Sequence, residues 1–380
     1  MAYSDMSSVA FTYIGRLQYR GRLLKQIATL KKSGINSILF HGRVRKDDVT
    51  ANELDFPVVS FPVSHEKFKT LTFASQMLFC ARAARGILRS GARTVVCMGL
   101  ESLMSGVLAR RRDPSLRLIF DSNELAIEFA EGRLKKAIWR AVQNRALPFC
   151  HTVIQAEQNR LCYFRDTYGV PDEKLLLLEN LPYYTEDFEP RLPGDTIRVI
   201  YLGSFHPERY GPELVAIFAT LPSSMHLDLV GFGRRTHVEA LKEQVRQCGE
   251  ARIRVLPPVP HEEIYALLKD YHVGLAFYRN TNLNNYYCAP NKIYDYIACG
   301  IPVISNDYPG LVRVLRENRI GVCIDTVNAA TLREAIETIV TDRYALNITD
   351  EVRRRYSWKH QEARYLSLFQ SKRSGDSEPA

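Results

Sequence analysis

The sequence predicts an α/β protein of two successive domains, each a parallel β-sheet layered with helices. Three observations carry this. At 380 residues and 43.5 kDa the chain exceeds what one hydrophobic core ordinarily serves. Short β-branched runs alternate with longer helical ones along most of its length. A stretch rich in Pro and acids and poor in apolar periodicity, TEDFEPRLPGDT (185–196), separates two such alternations as a linker would.

The elements follow in order. Strand-like runs fall at Val9–Ile14, Asn36–Phe40, Pro57–Phe61, Thr94–Met98, Arg117–Phe120 and Thr152–Ile154. Between the first two, GRLLKQIATLKKSG predicts a helix with Leu23, Leu24, Ile27 and Leu30 on its apolar face and Gly34 just beyond its end. After the linker come a strand at 197–203, a helix from about Pro212, a strand at 226–233, a helix around 236–248 and a strand at 252–259. The helix HEEIYALLKD, the strand VGLAFY, the helix KIYDYIACG, the strand PVIS, a helix near 309–318 and the strand GVCID complete the second domain. SWKHQEARYLSLFQ (357–370) is amphipathic, and SKRSGDSEPA is a polar tail. The expected division is a first domain over 1–188, a second over 189–356, a closing helix over 357–371 and a disordered tail over 372–380.

Composition narrows the class. Apolar residues are 46% and charged residues 24%, which excludes a mainly disordered or fibrous chain. No apolar run approaches the roughly 18 residues of a membrane-spanning helix. MAYSDMSSVAFTYIG lacks a basic n-region and a long h-region, so a cytoplasmic protein without a secretory signal is expected. The eight cysteines form no C-x-x-C pair and no cluster with histidine, which points to reduced thiols and no structural zinc.

Candidate sites lie where strands end. In IRVIYLGSFHPERYG a strand closes on Gly203 and a loop then opens a helix, the place where free backbone N–H groups and a helix dipole receive phosphate. Arg209 in that loop can neutralise a diphosphate. LVGFGRR ends the next strand with Gly231 and Gly233, but Thr236 stands where a dinucleotide fingerprint needs glycine, and no Walker A sequence occurs. In NNYYCAPNKIYDYIACGIPVIS (284–305), Pro290 suits a helix start that carries Asn291, Lys292 and Asp295 on its first turns. That pattern fits an anion pocket with an acid for sugar hydroxyls, and equally a well-capped structural helix. GRLQYRGR (15–22) follows the first strand and either faces a cleft or is a plain turn.

APNKIYDYIACGIPVIS resembles the nucleotide-sugar site of GT-B glycosyltransferases of the retaining family 4 type, with its pattern P-N-K-L-F-E-Y-M-A-x-G-x-P-V-I. YLGSFHPERYG, LVGFG and PHEEIYALLKDYHVGLAFY stand in the order expected of that family's second domain. In the first half, RGRLLKQIATLKKSG, LIFDSNEL and YGVPDEKLLLLENLP resemble its segments more loosely. The resemblance spans nearly the whole chain and is strongest over 197–370. It implies a GT-B fold: two Rossmann-like parallel-sheet domains facing a central cleft, with the C-terminal helix crossing back to the first.

The implied reaction is transfer of a sugar from a UDP- or GDP-linked donor to a glycan or lipid-linked acceptor. Retention of configuration, no cofactor and no metal, and a role in polysaccharide or glycolipid biosynthesis complete the implication. By position, Arg209 and Lys292 would stabilise the departing diphosphate. Gly203, Ser204, Gly231, Gly233, Pro258, Val259, Tyr287, Asn291 and Asp295 would contact the donor, with Asp295 in the place of a ribose-binding glutamate. Gly15, Arg20, Arg22, Asn123 and Glu124 would lie on the acceptor side. Ser204, Tyr287 and Asn123 depart from the family's usual basic residue, glutamate and histidine. An inverting GT-B transferase, a nucleotide-sugar epimerase and a catalytically inactive GT-B binding protein are the alternatives.

The charge is lopsided. The chain carries a net +9, and residues 82–145 alone hold 13 basic and 6 acidic side chains. Arg82, Arg85, Arg89 and Arg93 share one helical spacing, and Arg133, Lys136 and Arg140 another. Such faces are either solvated or meet an anionic membrane surface, which would place the protein at the inner face of a membrane. No nucleic-acid motif accompanies them, and aromatic residues do not interleave with them, so nucleic acid is not an expected partner.

Overall fold

The structure, a computed structural model, describes residues 9–17, 21–44, 54–63, 69–130, 132–184, 189 and 191–370. Of the expected linker, 185–188 and 190 lie outside the described residues, as do the tail over 371–380 and Arg20. The chain forms two compact units, one of residues up to Leu178 together with those from Glu362 onward, the other Glu179–Gln361. Each is an α/β layer structure, as the alternating pattern predicts.

The first unit runs β1 (Val9–Ile14), α1 (Gly21–Lys32), β2 (Ser37–Arg43), β3 (Val58–Pro62), α2 (Lys69–Ser90), β4 (Thr94–Met98) and α3 (Leu100–Arg112). It continues with β5 (Arg117–Asp121), α4 (Ala126–Phe129), α5 (Arg133–Ala146), β6 (Thr152–Gln155), α6 (Gln158–Tyr168) and β7 (Leu175–Leu177). The sheet is parallel throughout, in the order β3-β2-β1-β4-β5-β6-β7. Thr94–Met98 is buried along its whole length, as a strand covered on both faces must be. The short edge strand β7 went unread in the sequence, because three consecutive leucines show no alternation.

Helix α1 buries Leu23, Ile27 and Leu30 but also Gln26 and Thr29, while Leu24 is only half-buried. The reason lies across the sheet. Asp121 is fully buried at the end of β5, and its Oδ2 accepts from Gln26 Nε2 at 2.7 Å and from Arg22 Nε at 2.9 Å. A buried carboxylate has to be paired, so the polar side of α1 turns inward to pair it.

The second unit runs β8 (Ile197–Ser204), α7 (Gly211–Thr220), β9 (Met225–Phe232), α8 (Arg235–Cys248), β10 (Ile253–Leu256), α9 (His261–Leu268) and β11 (Val273–Ala276). After these come α10 (Leu283–Tyr286), α11 (Asn291–Ala298), β12 (Val303–Asn306), α12 (Pro309–Leu315), β13 (Gly321–Ile324), α13 (Ala329–Thr341), α14 (Asp350–Arg355) and α15 (Trp358–Ser367). Its parallel sheet has the order β10-β9-β8-β11-β12-β13. Alternate residues of β8 face two different cores. Ile200 and Leu202 pack with α11 and α12, while Val199 and Tyr201 pack with α7 and α13.

The chain passes between units at Leu178–Glu179 and again at Gln361–Glu362. Within the second unit, Gln361 Nε2 donates to the Glu179 carbonyl at 2.7 Å, and Glu179 N donates back to Gln361 Oε1 at 3.0 Å. In the first unit Tyr365 is fully buried and Thr29 Oγ1 donates to Glu362 Oε1 at 3.3 Å. The closing helix therefore gives its first turn to the second unit and the rest to the first. Among the described residues, no helix is long and apolar enough to cross a membrane. None of the eight cysteines is in a disulfide, and burial pushes the Cys80 thiol up to about 12.

Tyr296 fixes α11 on the sheet. Its hydroxyl accepts from Leu202 N at 2.9 Å and lies 3.4 Å from the carbonyls of Ile200 and Leu275, where β8 and β11 part. The ring rests on Gly274, where a Cβ would come within 2.5 Å of it. Tyr296→Phe should cost about 1–3 kcal/mol by leaving the Leu202 N–H unpaired in the core. Gly274→Ala should cost a similar amount, about 1–3 kcal/mol, by overpacking. Urea titrations of both variants measure these losses, and an unchanged midpoint in either would show that α11 does not depend on this contact.

Candidate functional site

In both sheets the strand order reverses beside the first strand, between β1 and β4 and between β8 and β11. Open parallel sheets bind ligands in the crevice outside the carboxyl ends of their strands at such points. The second unit brings Gly203, Arg209 and Lys292 together there. Gly203 has φ 130, a backbone conformation in which a Cβ is strained, and that Cβ would lie 3.4 Å from Lys292 Nζ. Gly231 pairs with Gly203 across the sheet, and a side chain on it would overlap the Gly203 carbonyl.

Lys292 is the second residue of α11, whose N-terminus follows Pro290 and receives no side-chain cap. The lysine's stem is partly exposed, but Nζ is buried and has no hydrogen-bond partner. It sits 3.9 Å from the centre of the Tyr201 ring and 5.4 Å from that of Tyr278. Burial, reinforced by the Arg209 guanidinium, pulls the Lys292 ammonium well below its ordinary value. Two ring faces compensate part of the desolvation of a cation, not all of it.

Arg209 shares the Tyr278 ring at 4.3 Å and lies 3.4 Å from Asn285 Oδ1. Asn285 also donates to Glu208 Oε2 at 3.1 Å, and Thr281 Oγ1 donates to Glu208 Oε1 at 2.6 Å. Burial opposes ionisation of Glu208. The hydrogen bonds of Thr281 and Asn285, with Arg209 and His206 nearby, outweigh it and hold the carboxyl below its ordinary value. The result is two basic side chains, an uncapped helix start and a glycine-cleared backbone converging on one spot, an arrangement with the chemistry to receive a multiply charged anion.

The remaining expected donor residues lie around this spot at differing depths. Ser204 ends β8, and its carbonyl accepts from the Tyr201 hydroxyl at 3.0 Å. Asn291 is exposed on the first turn of α11, Tyr287 is half-buried beside Tyr286, and Gly233 follows β9. Pro258 and Val259 lie in the loop between β10 and α9. Asp295 is buried, and the Tyr265 hydroxyl lies 3.4 Å from its Oδ1. Tyr201, Tyr278, Glu208 and Asn285 were not singled out in the sequence. Tyr278, closing VGLAFY, carried the same end-of-strand signal as Gly203.

The first unit has a cavity of about 450 Å³ at its own switch point, lined by Gly15, Arg16, Glu101, Ser122, Asn123 and Glu124 among others. Gly15 is fixed there because its carbonyl accepts from His41 Nε2 at 2.7 Å. Asn123 has φ 58, a left-handed conformation that asparagine tolerates, and its carbonyl accepts from Arg160 Nη1 at 2.6 Å. Arg22 does not line the cavity. Its guanidinium is spent on Asp121 and on the Leu178 carbonyl, 2.5 Å away. Glu101 was missed, although it follows strand β4 and Gly99 just as the loop after β8 follows Gly203. No three His, Cys, Asp or Glu side chains group as metal ligands among the described residues.

Residues 184–360 match the family described as glycosyl transferases group 1. The match falls on the second unit. Among curated proteins none matches the chain in sequence. The whole chain has the GT-B fold. It is similar to sucrose-phosphate synthase from Thermosynechococcus elongatus, at 16% identity and TM-score 0.75, over 95% of this chain and 98% of that one. It is also similar to HepE from Anabaena in complex with UDP and glucose, at 15% identity and TM-score 0.73, over 96% and 100%. A third is the lipopolysaccharide outer core galactosyltransferase WaaB, at 13% identity and TM-score 0.69, over 95% and 98%.

The depressed Lys292 gives the second unit a pH signature. Between its lowered folded value and its ordinary value near 10.5 the unfolded chain binds more protons. Folding stability from this group therefore rises with pH across that window, and the penalty is full below it. A diphosphate pairs with the charged form and reverses the balance, so nucleotide binding in the window should take up as much as about one proton. Calorimetry of UDP binding in buffers of different ionisation enthalpy measures the uptake. It should vanish in Lys292→Met, and an equal uptake in that variant would assign the proton elsewhere.

Proposed function

We propose that the protein transfers a sugar from a nucleotide-sugar donor to a glycan or lipid-linked acceptor. The observation that carries this is Lys292, a buried ammonium without a hydrogen-bond partner, set beside Arg209 and the Gly203 backbone at the start of α11. Charge develops on the leaving diphosphate as the glycosidic bond breaks, and preorganised donors in a dry site stabilise it there. Lys292 and Arg209 perform that task, so the reaction runs without a resident metal. The donor's nucleotide is UDP, a reading supported by the likeness to HepE, which is described in complex with UDP and with UDP-glucose.

The cavity of the first unit takes the acceptor through Gly15, Asn123 and Glu124, with Glu101 as a further polar wall. The resemblance of the 289–305 segment to the retaining family 4 type supports retention of the anomeric configuration. The likeness to a lipopolysaccharide galactosyltransferase supports a place in polysaccharide or glycolipid assembly.

The test is a donor screen with UDP-, GDP- and ADP-linked sugars, read as nucleotide release and as calorimetric binding of the free nucleotides. Lys292→Met should lower turnover by about 10²–10³-fold, the loss that follows removal of one charge-stabilising donor. Arg209→Gln should act in the same direction. Proton NMR of the product establishes its anomer. If no nucleotide binds the wild-type chain, the transfer reading fails.

A further inference from the structure

Helix α5 is mounted with an apolar stripe outward. Its buried side is Trp139, Gln143 and Ala146, and Trp139 meets Phe73 of α2 edge to face at 5.8 Å. At the helical period the opposite side carries Leu134, Ala137, Ile138 and Ala141. Leu134 is 75% exposed and Ile138 is 41% exposed. Isolated exposed aliphatics are ordinary, but here two large ones share one stripe with two alanines.

Cations flank that stripe. Arg133 and Arg140 stand on one side, Lys135 on the other, and Arg145 toward its C-terminal end, all exposed. Glu128 draws Lys136 and Arg140 to 4.0 and 3.6 Å, so part of the basic row expected from sequence is neutralised. Arg133, Lys135 and Arg145 have no acidic partner among the described residues. Neighbouring α2 continues the theme. Leu78 is 51% exposed, and Arg82, Arg85 and Arg89 follow it, exposed and also without acidic partners among the described residues.

We propose that α5, together with the Leu78–Arg89 face of α2, docks the first unit onto the interface of an anionic lipid bilayer. Leu134 and Ile138 enter the acyl boundary while the surrounding lysines and arginines meet headgroup phosphates. A nucleic acid would satisfy the cations but has no hydrocarbon region to take up the stripe. A second copy of this face would meet the stripe but repel the cations. Only a surface that is anionic outside and apolar beneath satisfies both. This inference concerns a different surface from the donor site and does not depend on the transfer reaction.

The test is co-sedimentation of the full chain with vesicles of phosphatidylcholine alone or mixed with phosphatidylglycerol, at about 0.1 M and about 1 M salt. Binding should require phosphatidylglycerol and be lost at the higher salt. Leu134→Ser/Ile138→Ser should weaken it about tenfold, and Arg133→Ala/Lys135→Ala on the order of tenfold. All these positions are exposed, so thermal midpoints should be unchanged, which separates lost docking from lost folding. Absence of binding to the anionic vesicles at low salt overturns the proposal. So does binding indifferent to Leu134→Ser/Ile138→Ser, tighter binding to duplex DNA than to vesicles, or a dimer in solution that this double variant dissolves.

Discussion

One hydroxyl organises the second unit. Where β8 and β11 diverge, the sheet leaves backbone groups that no strand can pair, and Tyr296 reaches from α11 to occupy that gap. The switch point that opens a crevice for ligand is thus also the point that needs a plug. Because the plug belongs to α11, the same residue that repairs the sheet sets that helix's position. Lys292 stands one turn before Tyr296, so its buried ammonium is aimed by a contact in the core and not by a flexible loop. The lysine's placement is therefore as rigid as the sheet.

That rigidity comes at a cost in stability. A lysine whose nitrogen is buried without a hydrogen bond opposes folding, and the faces of Tyr201 and Tyr278 offset only part of the desolvation. A chain selected for stability alone would carry a methionine or leucine there. Gly203 points the same way, since its φ of 130 and its closeness to Lys292 keep the strand end bare. Local choices that conflict with folding cluster around one spot, where a bound anion would offset the desolvation of Lys292.

Much of the fold was legible in the sequence, because the alternation of buried strands and amphipathic helices is written in residue types. Val9–Ile14 and Thr94–Met98 fall on the same residues in sequence and structure, and both domains were visible. The Gly203, Arg209 and Lys292 neighbourhood was legible too, since strand-glycine and Pro-Asn-Lys patterns mark local geometry. What escaped were facts about partners far apart in the chain. Arg22 follows the first strand as a cleft residue would, yet Asp121 claims it from 99 positions away. Asp295 is the right residue type for binding hydroxyls, but its burial beside Tyr265 depends on how α9 packs against α11. The outward stripe of α5 was hidden for the same reason. Leu134 and Ile138 look like core residues until Trp139 is seen to take the inner face.

The two units solve the same topological problem with opposite chemistry. Both place their crevice where a 3-2-1-4-5-6 strand order reverses, the first sheet carrying β7 as a seventh strand at its edge. In the second unit, the start of α11 carries Lys292 and no side-chain cap, so the helix end and the side chain add as positive charge. In the first, α3 begins after Gly99 with Glu101 on its opening turn, and Glu124 lines the same cavity. An acid on the first turn answers the helix dipole internally, which removes the attraction that a phosphate would otherwise feel. Arg16 lines the same cavity as these two carboxylates. A crevice built this way suits hydroxyl-rich, weakly charged matter better than a diphosphate. The two crevices thus differ at equivalent helix starts, with a lysine in one and a glutamate in the other.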